Sequence, residues 1–257
     1  MSSPETDHSK EVFVSLRNVT LHYGKVPALD DISLDISPGM LTGMIGPDGV
    51  GKSSILSLIT GSRAVQSGTV TVLGGNIQDK AHRDRICPRI AYMPQGLGKN
   101  LYFTLTVEEN LQFFGSLFGH NAAERRKRID LLTKSTGLYQ FLDRQAGKLS
   151  GGMKQKLGLC CSLIHDPDLL VLDEPTTGLH LADIKQLMDV LLKLRDKGST
   201  VLVIEHNLDV IKMADWIIDL GPEGGSNGGK IIARGTPEDV AENKKSYTGK
   251  YLREMLK

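Results

Sequence analysis

Gly46-Pro47-Asp48-Gly49-Val50-Gly51-Lys52-Ser53 is the stretch from which the rest of the chain is read. It fits G-x-x-x-x-G-K-[ST], the loop that cradles phosphates in nucleoside triphosphatases. The apolar run Met40-Leu41-Thr42-Gly43-Met44-Ile45 before it reads as a buried strand. Ser54-Ile55-Leu56-Ser57-Leu58-Ile59 after it has the apolar spacing of a helix. Glycines let the backbone turn its N–H groups inward, and the start of a helix adds a positive end. Lys52 is expected at the β- and γ-phosphates and the Ser53 hydroxyl on Mg²⁺, with Ser54 closing the binding stretch. About 0.01 such matches arise by chance in a chain this long. The alternative is a glycine-rich turn that binds nothing, and the flanking strand and helix weigh against it.

The chain of 257 residues can bury a full core. Lys plus Arg is 31 and Asp plus Glu is 30, a formal charge of +1. Proteins that live on DNA or acidic membrane carry a larger basic excess, although a local patch can hide in such a balance. The three cysteines, Cys87, Cys160 and Cys161, form no C-x-x-C pair and no even framework, which suits a reducing cytoplasm. Met1 to Lys10 is polar and charged, unlike a signal peptide. No apolar run approaches the ~20 residues that span a bilayer, so a soluble protein is expected, and any membrane role requires a partner.

In chain order, strands are expected over residues 12–22, 32–36, 69–73, 90–95, 169–174, 199–204, 216–220 and 230–233. Tyr23, after the first, either stacks on an adenine ring or is an ordinary strand-end tyrosine, and spacing leaves the two even. Gln95, after Ile90-Ala91-Tyr92-Met93-Pro94, has the chemistry to coordinate Mg²⁺ or hold the attacking water, though an isolated glutamine is more often a surface amide. From Thr106 to about Gly147 the pattern turns helical and reads as a lobe inserted into the nucleotide domain. Its run Glu124-Arg125-Arg126-Lys127-Arg128 reads as a solvated helix face. Leu149-Ser150-Gly151-Gly152-Met153-Lys154-Gln155 opens the next helix, whose start offers N–H groups to an anion. Leu169-Leu170-Val171-Leu172-Asp173-Glu174 is a buried strand ending in two carboxylates: Asp173 suits Mg²⁺, and Glu174 is placed to polarise a water. A helix cap would explain one acid there but not two. His206, after Glu205 at the end of another strand, stands on the rim where α/β folds bind ligands. The segment Gly221 to Gly229 reads as an exposed, mobile loop, and one terminal helix is expected from Thr236.

With these pieces in order, nearly the whole chain resembles the ATP-binding-cassette (ABC) ATPases. The loop at 46–53, Gln95, the signature at 149–155, the acidic strand and His206 all match in order and spacing. The resemblance implies an α/β P-loop NTPase fold: a parallel core sheet, an antiparallel β subdomain and an inserted α-helical lobe at about 98–160. It implies a single nucleotide-binding domain over 1–257, with ATP and Mg²⁺ sandwiched between two cassettes. In that arrangement Leu149, Ser150, Gly151 and Gly152 face the partner's phosphate loop. Tyr23 stacks on adenine, Ser53, Gln95 and Asp173 serve the metal, and Lys52, Glu174 and His206 carry the chemistry, with Glu174 as base.

The likeness divides within the family. Residues 12–178 resemble exporter cassettes, as in Leu105-Thr106-Val107-Glu108-Glu109-Asn110-Leu111. Residues from about 173 onward resemble the carboxyl-terminal cassette of the excision-repair ATPase UvrA. Thr177-Gly178-Leu179-His180, Ile204-Glu205-His206-Asn207-Leu208-Asp209-Val210 and Asp219-Leu220-Gly221-Pro222-Glu223-Gly224-Gly225 carry this second likeness. The two patterns overlap at 173–178, which suggests a hybrid, recombined or engineered there. His180 stands where transporter cassettes usually have a partner-contacting Asp, which puts productive pairing of two copies in question. The expectation drawn from this is the ATPase subunit of a membrane exporter, cytoplasmic and peripheral to the inner membrane when bound to its partner. DNA is the less expected ligand, because no zinc-type cysteine pair and no concentrated basic run is visible. A UvrA-like repair fragment, or a hybrid that binds nucleotide without a physiological partner, is the alternative.

Overall fold

The computed structural model describes residues 12–224 and 228–256, so the expectation for Met1 to Lys10 lies outside the described residues. Strands β1 (Val14–Tyr23) and β2 (Val26–Ile36) pair antiparallel, so the second expected strand begins well before Ile32. Every residue of β3 (Leu41–Ile45) is buried, and it runs through the phosphate loop into α1 (Lys52–Ile59). β4 (Ser67–Val72) and β5 (Gly75–Asn76) complete a four-stranded antiparallel sheet in the order β2-β1-β4-β5. After α2 (Lys80–Ile86) comes β6 (Ile90–Met93).

Between β6 and the next core strand the chain is helical. Its helices are α3 (Val107–Leu117), α4 (Ala122–Thr136) and α5 (Gly151–Leu163). Each start is chemically marked. Thr106 and Glu109 form a capping box, Asn121 caps α4 and Ser150 caps α5. The lobe has its own core of Val107, Leu111, Ile129, Leu138, Leu157 and the two buried thiols Cys160 and Cys161. Burial holds both thiols above their usual range, Cys160 at about 11, so they serve as small hydrophobes.

The remaining elements are β7 (Leu169–Asp173), α6 (Leu181–Asp196), β8 (Thr200–Ile204), α7 (Leu208–Ile211), β9 (Trp216–Gly221) and β10 (Lys230–Gly235). The central sheet has the order β10-β9-β3-β8-β7-β6, parallel throughout except for β10. β3, β7 and β8 are buried at every position, as strands covered on both faces must be. One core lies between this sheet and the antiparallel sheet, with α1; a second lies on the opposite face under α6. The single terminal helix expected from Thr236 is instead two, α8 (Pro237–Glu242) and α9 (Tyr247–Met255). The break has a local cause: Asn243 accepts from the Lys245 N–H, and Ser246 caps α9.

His165, just after α5, stacks on Phe118 with ring centroids 3.7 Å apart. Its burial pushes the imidazole down to about 4. Between that value and the ordinary 6.5 the unfolded chain binds the proton and the folded one does not, so stability is present above the window and is lost as pH falls through it. In urea titrations at pH 7 and pH 4.5, the wild type should lose of order 1–2 kcal/mol more stability on acidification than His165→Leu. Equal losses would show that His165 does not contribute to acid lability.

Candidate functional site

The carboxyl ends of β3, β6 and β7 open onto one cleft of 510 Å³. It is lined by Tyr23 and Val26 from the antiparallel sheet, by Asp48, Gly49, Lys52 and Ser53 from the phosphate loop, and by Gln95 and Glu174, among others. This is the edge where parallel α/β sheets bind ligands, because loops and helix starts converge there. Gly51, the residue before α1, makes no side-chain cap, so the first N–H groups of that helix have no side-chain acceptor from their cap.

Lys52 is 5 % exposed, and its ammonium donates to the carbonyl oxygens of Gly46 (2.7 Å) and Pro47 (2.8 Å). Burial lowers its pKa; Asp48, Glu174, Asp173 and Asp219 act in the opposite direction. Gly46 and Pro47 thus serve through their carbonyls, while Val50 is buried and packs in the core. Gly46 has φ 136, and a side-chain carbon on it would collide with the Leu220 carbonyl at the end of β9.

The acidic pair is divided by environment. Asp173 is 2 % exposed, and its Oδ1 has no hydrogen-bond partner. Burial raises its pKa, opposed by the Ser53 hydroxyl. An orphaned carboxylate oxygen beside a serine hydroxyl fits a hard cation that takes oxygen ligands. Glu174 sits in the left-handed region at φ 51. Three contacts hold it there: its N–H donates to Ile204 O (3.0 Å), its carbonyl accepts from Gln155 Nε2 (3.3 Å), and its Oε2 accepts from Thr177 Oγ1 (3.4 Å). Its other oxygen lies 3.6 Å from His206 Nε2, and the same nitrogen lies 3.4 Å from Asp48 Oδ1.

Tyr23 is half exposed at the mouth of the cleft, with its hydroxyl 3.2 Å from Ser54 Oγ and the Arg63 guanidinium 4.6 Å from its ring centre. Leu149, Ser150, Gly151 and Gly152 do not line this cleft. They stand at the start of α5, where Ser150 Oγ accepts from the Met153 N–H and Gly152 packs near the Gly178 carbonyl. His180 is exposed at the start of α6 and makes no side-chain cap.

Two features escaped the sequence reading. The first is the Gly221–Gly229 segment, expected to be exposed and mobile. Pro222, Glu223 and Gly224 are exposed as expected and residues 225–227 lie outside the described residues, but Gly228 and Gly229 are buried. Gly224 approaches the phosphate loop so closely that a side-chain carbon there would strike the Asp48 carbonyl. The glycines allow backbone to lie on backbone, which composition alone does not separate from a loose turn. The second is Glu205, which is 3 % exposed and accepts hydrogen bonds from two loops. A carboxylate directly after an all-apolar strand was the available signal.

Comparison with known proteins follows this geometry. The family model described as ABC transporter matches residues 29–177. UvrABC system protein A of Aquifex aeolicus is 54 % identical over 166 residues, covering 62 % of this chain and 17 % of that protein. The Pseudomonas putida protein of the same name is 53 % identical over 165 residues, again 17 % of its length. The chain therefore spans about a sixth of the length of these relatives. The matched share is nearly twice that of residues 173–257, so the likeness extends outside that segment. Among solved structures, an ATP-binding subunit of an ABC transporter superposes with TM-score 0.80 at 24 % identity, covering 95 % of this chain and 100 % of that one, a likeness of fold. The dimeric bacterial ABC transporter cassette MJ0796 gives 0.76 at 26 %, covering 87 % and 98 %. With the family model covering more than half of its length, the chain belongs to the ABC transporter family, whose cassettes are ATPases.

Proposed function

We propose that the chain binds Mg²⁺-ATP in the cleft beneath Tyr23 and hydrolyses it when a second cassette supplies its own Leu149–Gly152 segment. The observation that carries this reading is a cleft lined by Lys52, Ser53, Gln95 and Glu174, with Asp173 beside Ser53 and His206 3.6 Å from Glu174. Phosphoryl transfer asks a protein mainly for positioning and charge neutralisation. Lys52 exchanges the Gly46 and Pro47 carbonyls for phosphate oxygens. Asp173 and Ser53, with Gln95 on the same wall, would hold Mg²⁺, which when bound supplies charge neutralisation at the phosphates. Glu174 orients and deprotonates the attacking water, and His206 donates to the γ-phosphate from 3.6 Å beside it. Because the signature lies outside its own cleft, each site takes its last wall from the partner.

Two observations bear on what the turnover drives. The helical lobe and the segment leading into it expose Tyr102, Phe103, Phe113 and Leu117, with the Tyr102 and Phe113 rings 4.8 Å apart. Exposed apolar and aromatic side chains of this kind support docking of an integral-membrane transporter subunit. This exporter reading is our first; under it, docking to a membrane subunit would hold the cassette at the cytoplasmic face of the inner membrane. The second reading, a UvrA-like repair ATPase, is favoured by the 54 % identity and by a basic cleft. Lys244, Lys245, Lys250 and Arg253 surround it together with Tyr247, a gathering that the scattered sequence positions conceal.

Glu174→Gln should keep ATP affinity within about twofold while turnover falls ~10²–10⁴-fold, measured by phosphate release. Sedimentation of that variant should show an ATP-dependent dimer. Undiminished hydrolysis would remove Glu174 from its role. Lys52→Ala should instead weaken ATP binding by ~10–100-fold, the loss of a charged hydrogen bond. Filter binding of duplex DNA at physiological salt separates the two machines. The exporter reading predicts no retention, whereas tight binding that weakens steeply with added salt would select the repair reading.

A further inference from the structure

We propose that Glu205 is a positioning residue for hydrolysis, setting Glu174 and His206 against one another by tying together the two loops that carry them. Nothing in the signature, acidic-strand or phosphate-loop motifs calls for a carboxylate here. It follows β8, five residues that are wholly buried, and is itself 3 % exposed. Among the described residues no lysine or arginine pairs with it. A buried carboxylate without a cation persists only where enough hydrogen-bond donors replace its water.

Four donors do so. Glu205 Oε1 accepts from the Thr176 N–H at 2.8 Å. Oε2 accepts from the Thr176 hydroxyl at 2.9 Å, the His206 N–H at 3.2 Å and the Asn207 N–H at 3.3 Å. Thr176 lies two residues beyond Glu174, in the turn that places Gly178 against Gly152 of the signature helix. His206 and Asn207 form the turn leaving β8. One side chain therefore closes a ring. The Glu174 N–H bonds Ile204 O, the chain runs to Glu205, Glu205 holds Thr176, and Thr176 returns to Glu174. The 3.6 Å between Glu174 Oε1 and His206 Nε2 is measured across that ring.

Neither Glu205 nor Thr176 lines the cleft, and among the described residues their side chains hydrogen-bond only to one another and to the turn after β8. Loosening it should leave nucleotide affinity alone and misplace the groups that act on the water and the γ-phosphate. This distinguishes positioning from general support of the fold, which would lower affinity and turnover together.

The inference rests on the hydrolytic roles proposed for Glu174 and His206, so Glu174→Gln is assayed in parallel. Glu205→Gln keeps the side chain's size but turns an amide N–H₂ toward N–H or O–H donors. Thr176→Val removes one hydroxyl, and Thr176→Ser restores it. In steady-state ATPase assays, kcat should fall at least tenfold in Glu205→Gln and severalfold in Thr176→Val. KM and the Kd of a fluorescent ATP analogue should stay within twofold, and Thr176→Ser should recover most of the rate. In a His206→Ala background, Thr176→Val should have little further effect, because what the tie sets is the spacing of His206 against Glu174, which is lost once His206 is removed. If Glu205→Gln does not fold, the Thr176 series and the His206 background decide the matter. Wild-type kcat in Thr176→Val alongside an inactive Glu174→Gln would overturn the positioning role alone. Parallel losses of kcat and ATP affinity, or fully additive losses with His206→Ala, would also overturn it. Full activity in Glu174→Gln would instead overturn the reading on which it rests.

Discussion

A buried ammonium at the start of α1 organises the cleft. Lys52 is almost wholly removed from solvent, and burial by itself acts against its charge. The carboxylates of Asp48, Glu174, Asp173 and Asp219 pull the other way, and two loop carbonyls accept its hydrogen bonds. These acids come from the phosphate loop and from the carboxyl ends of β7 and β9, so the charges that offset the burial of the lysine are supplied by strands that end together. The electrostatics of one side chain and the order of the sheet are the same constraint seen at two scales. A polyphosphate entering the cleft meets a cation already balanced by acids, so part of what it gains is the replacement of those interactions.

The same edge of the sheet is stiffened by backbone and not by bulk. Gly46 lies on the Leu220 carbonyl, and Gly224 lies on the Asp48 carbonyl, so the ends of β3 and β9 interlock without a side chain between them. On the other side of β3, the buried Glu205 carboxylate draws together the turns after β7 and β8. Glycine and carboxylate do opposite things there. The glycines permit contact closer than any side chain allows, while the acid gathers backbone N–H groups that no strand pairs. Together they limit how far Glu174, which has a left-handed backbone, can relax.

Much of this was legible because the chemistry of phosphate binding is local. The loop from Gly46 to Ser53, the acids at 173 and 174 and the amide at 95 lie at strand ends that apolar runs mark plainly. Periodicity placed the central strands, since β3, β7 and β8 are buried on both faces and read as continuous apolar runs. The rest was hidden for identifiable reasons. Whether Gly221 to Gly229 is loose or packed depends on the phosphate loop being beside it, a contact across some 175 residues of chain. The basic cleft arises because Asn243 and Ser246 break the terminal helix and fold its lysines around one hollow. Glu205 carries a polar letter at a place whose partners, Thr176 and its own following turn, only the sheet brings together.

The sequence reading places a join between two family likenesses near residues 173–178, but the UvrA match extends outside residues 173–257, and no seam in space corresponds to that point. β3, upstream of it, has β8 on one side and β9 on the other, both downstream, in parallel register through buried residues. The hydrogen bonds follow suit. The Gly39 N–H donates to Thr200 Oγ1, and the Leu41 N–H donates to Asp215 Oδ2 at 2.7 Å. Asp215 in turn accepts from Arg195, so a downstream ion pair is fixed to the strand that carries the phosphate loop. A cassette of this architecture cannot be divided into a binding half and a coupling half. The strand that leads into the Lys52 loop is clamped by the strand that leads to His206 and the strand that bears Asp219. Any segment placed after residue 178 must therefore match β3 in length, register and burial before it can contribute a histidine to the cleft. That requirement explains why likenesses to two kinds of machine can share one sheet: both kinds solve the same packing problem around the same buried lysine.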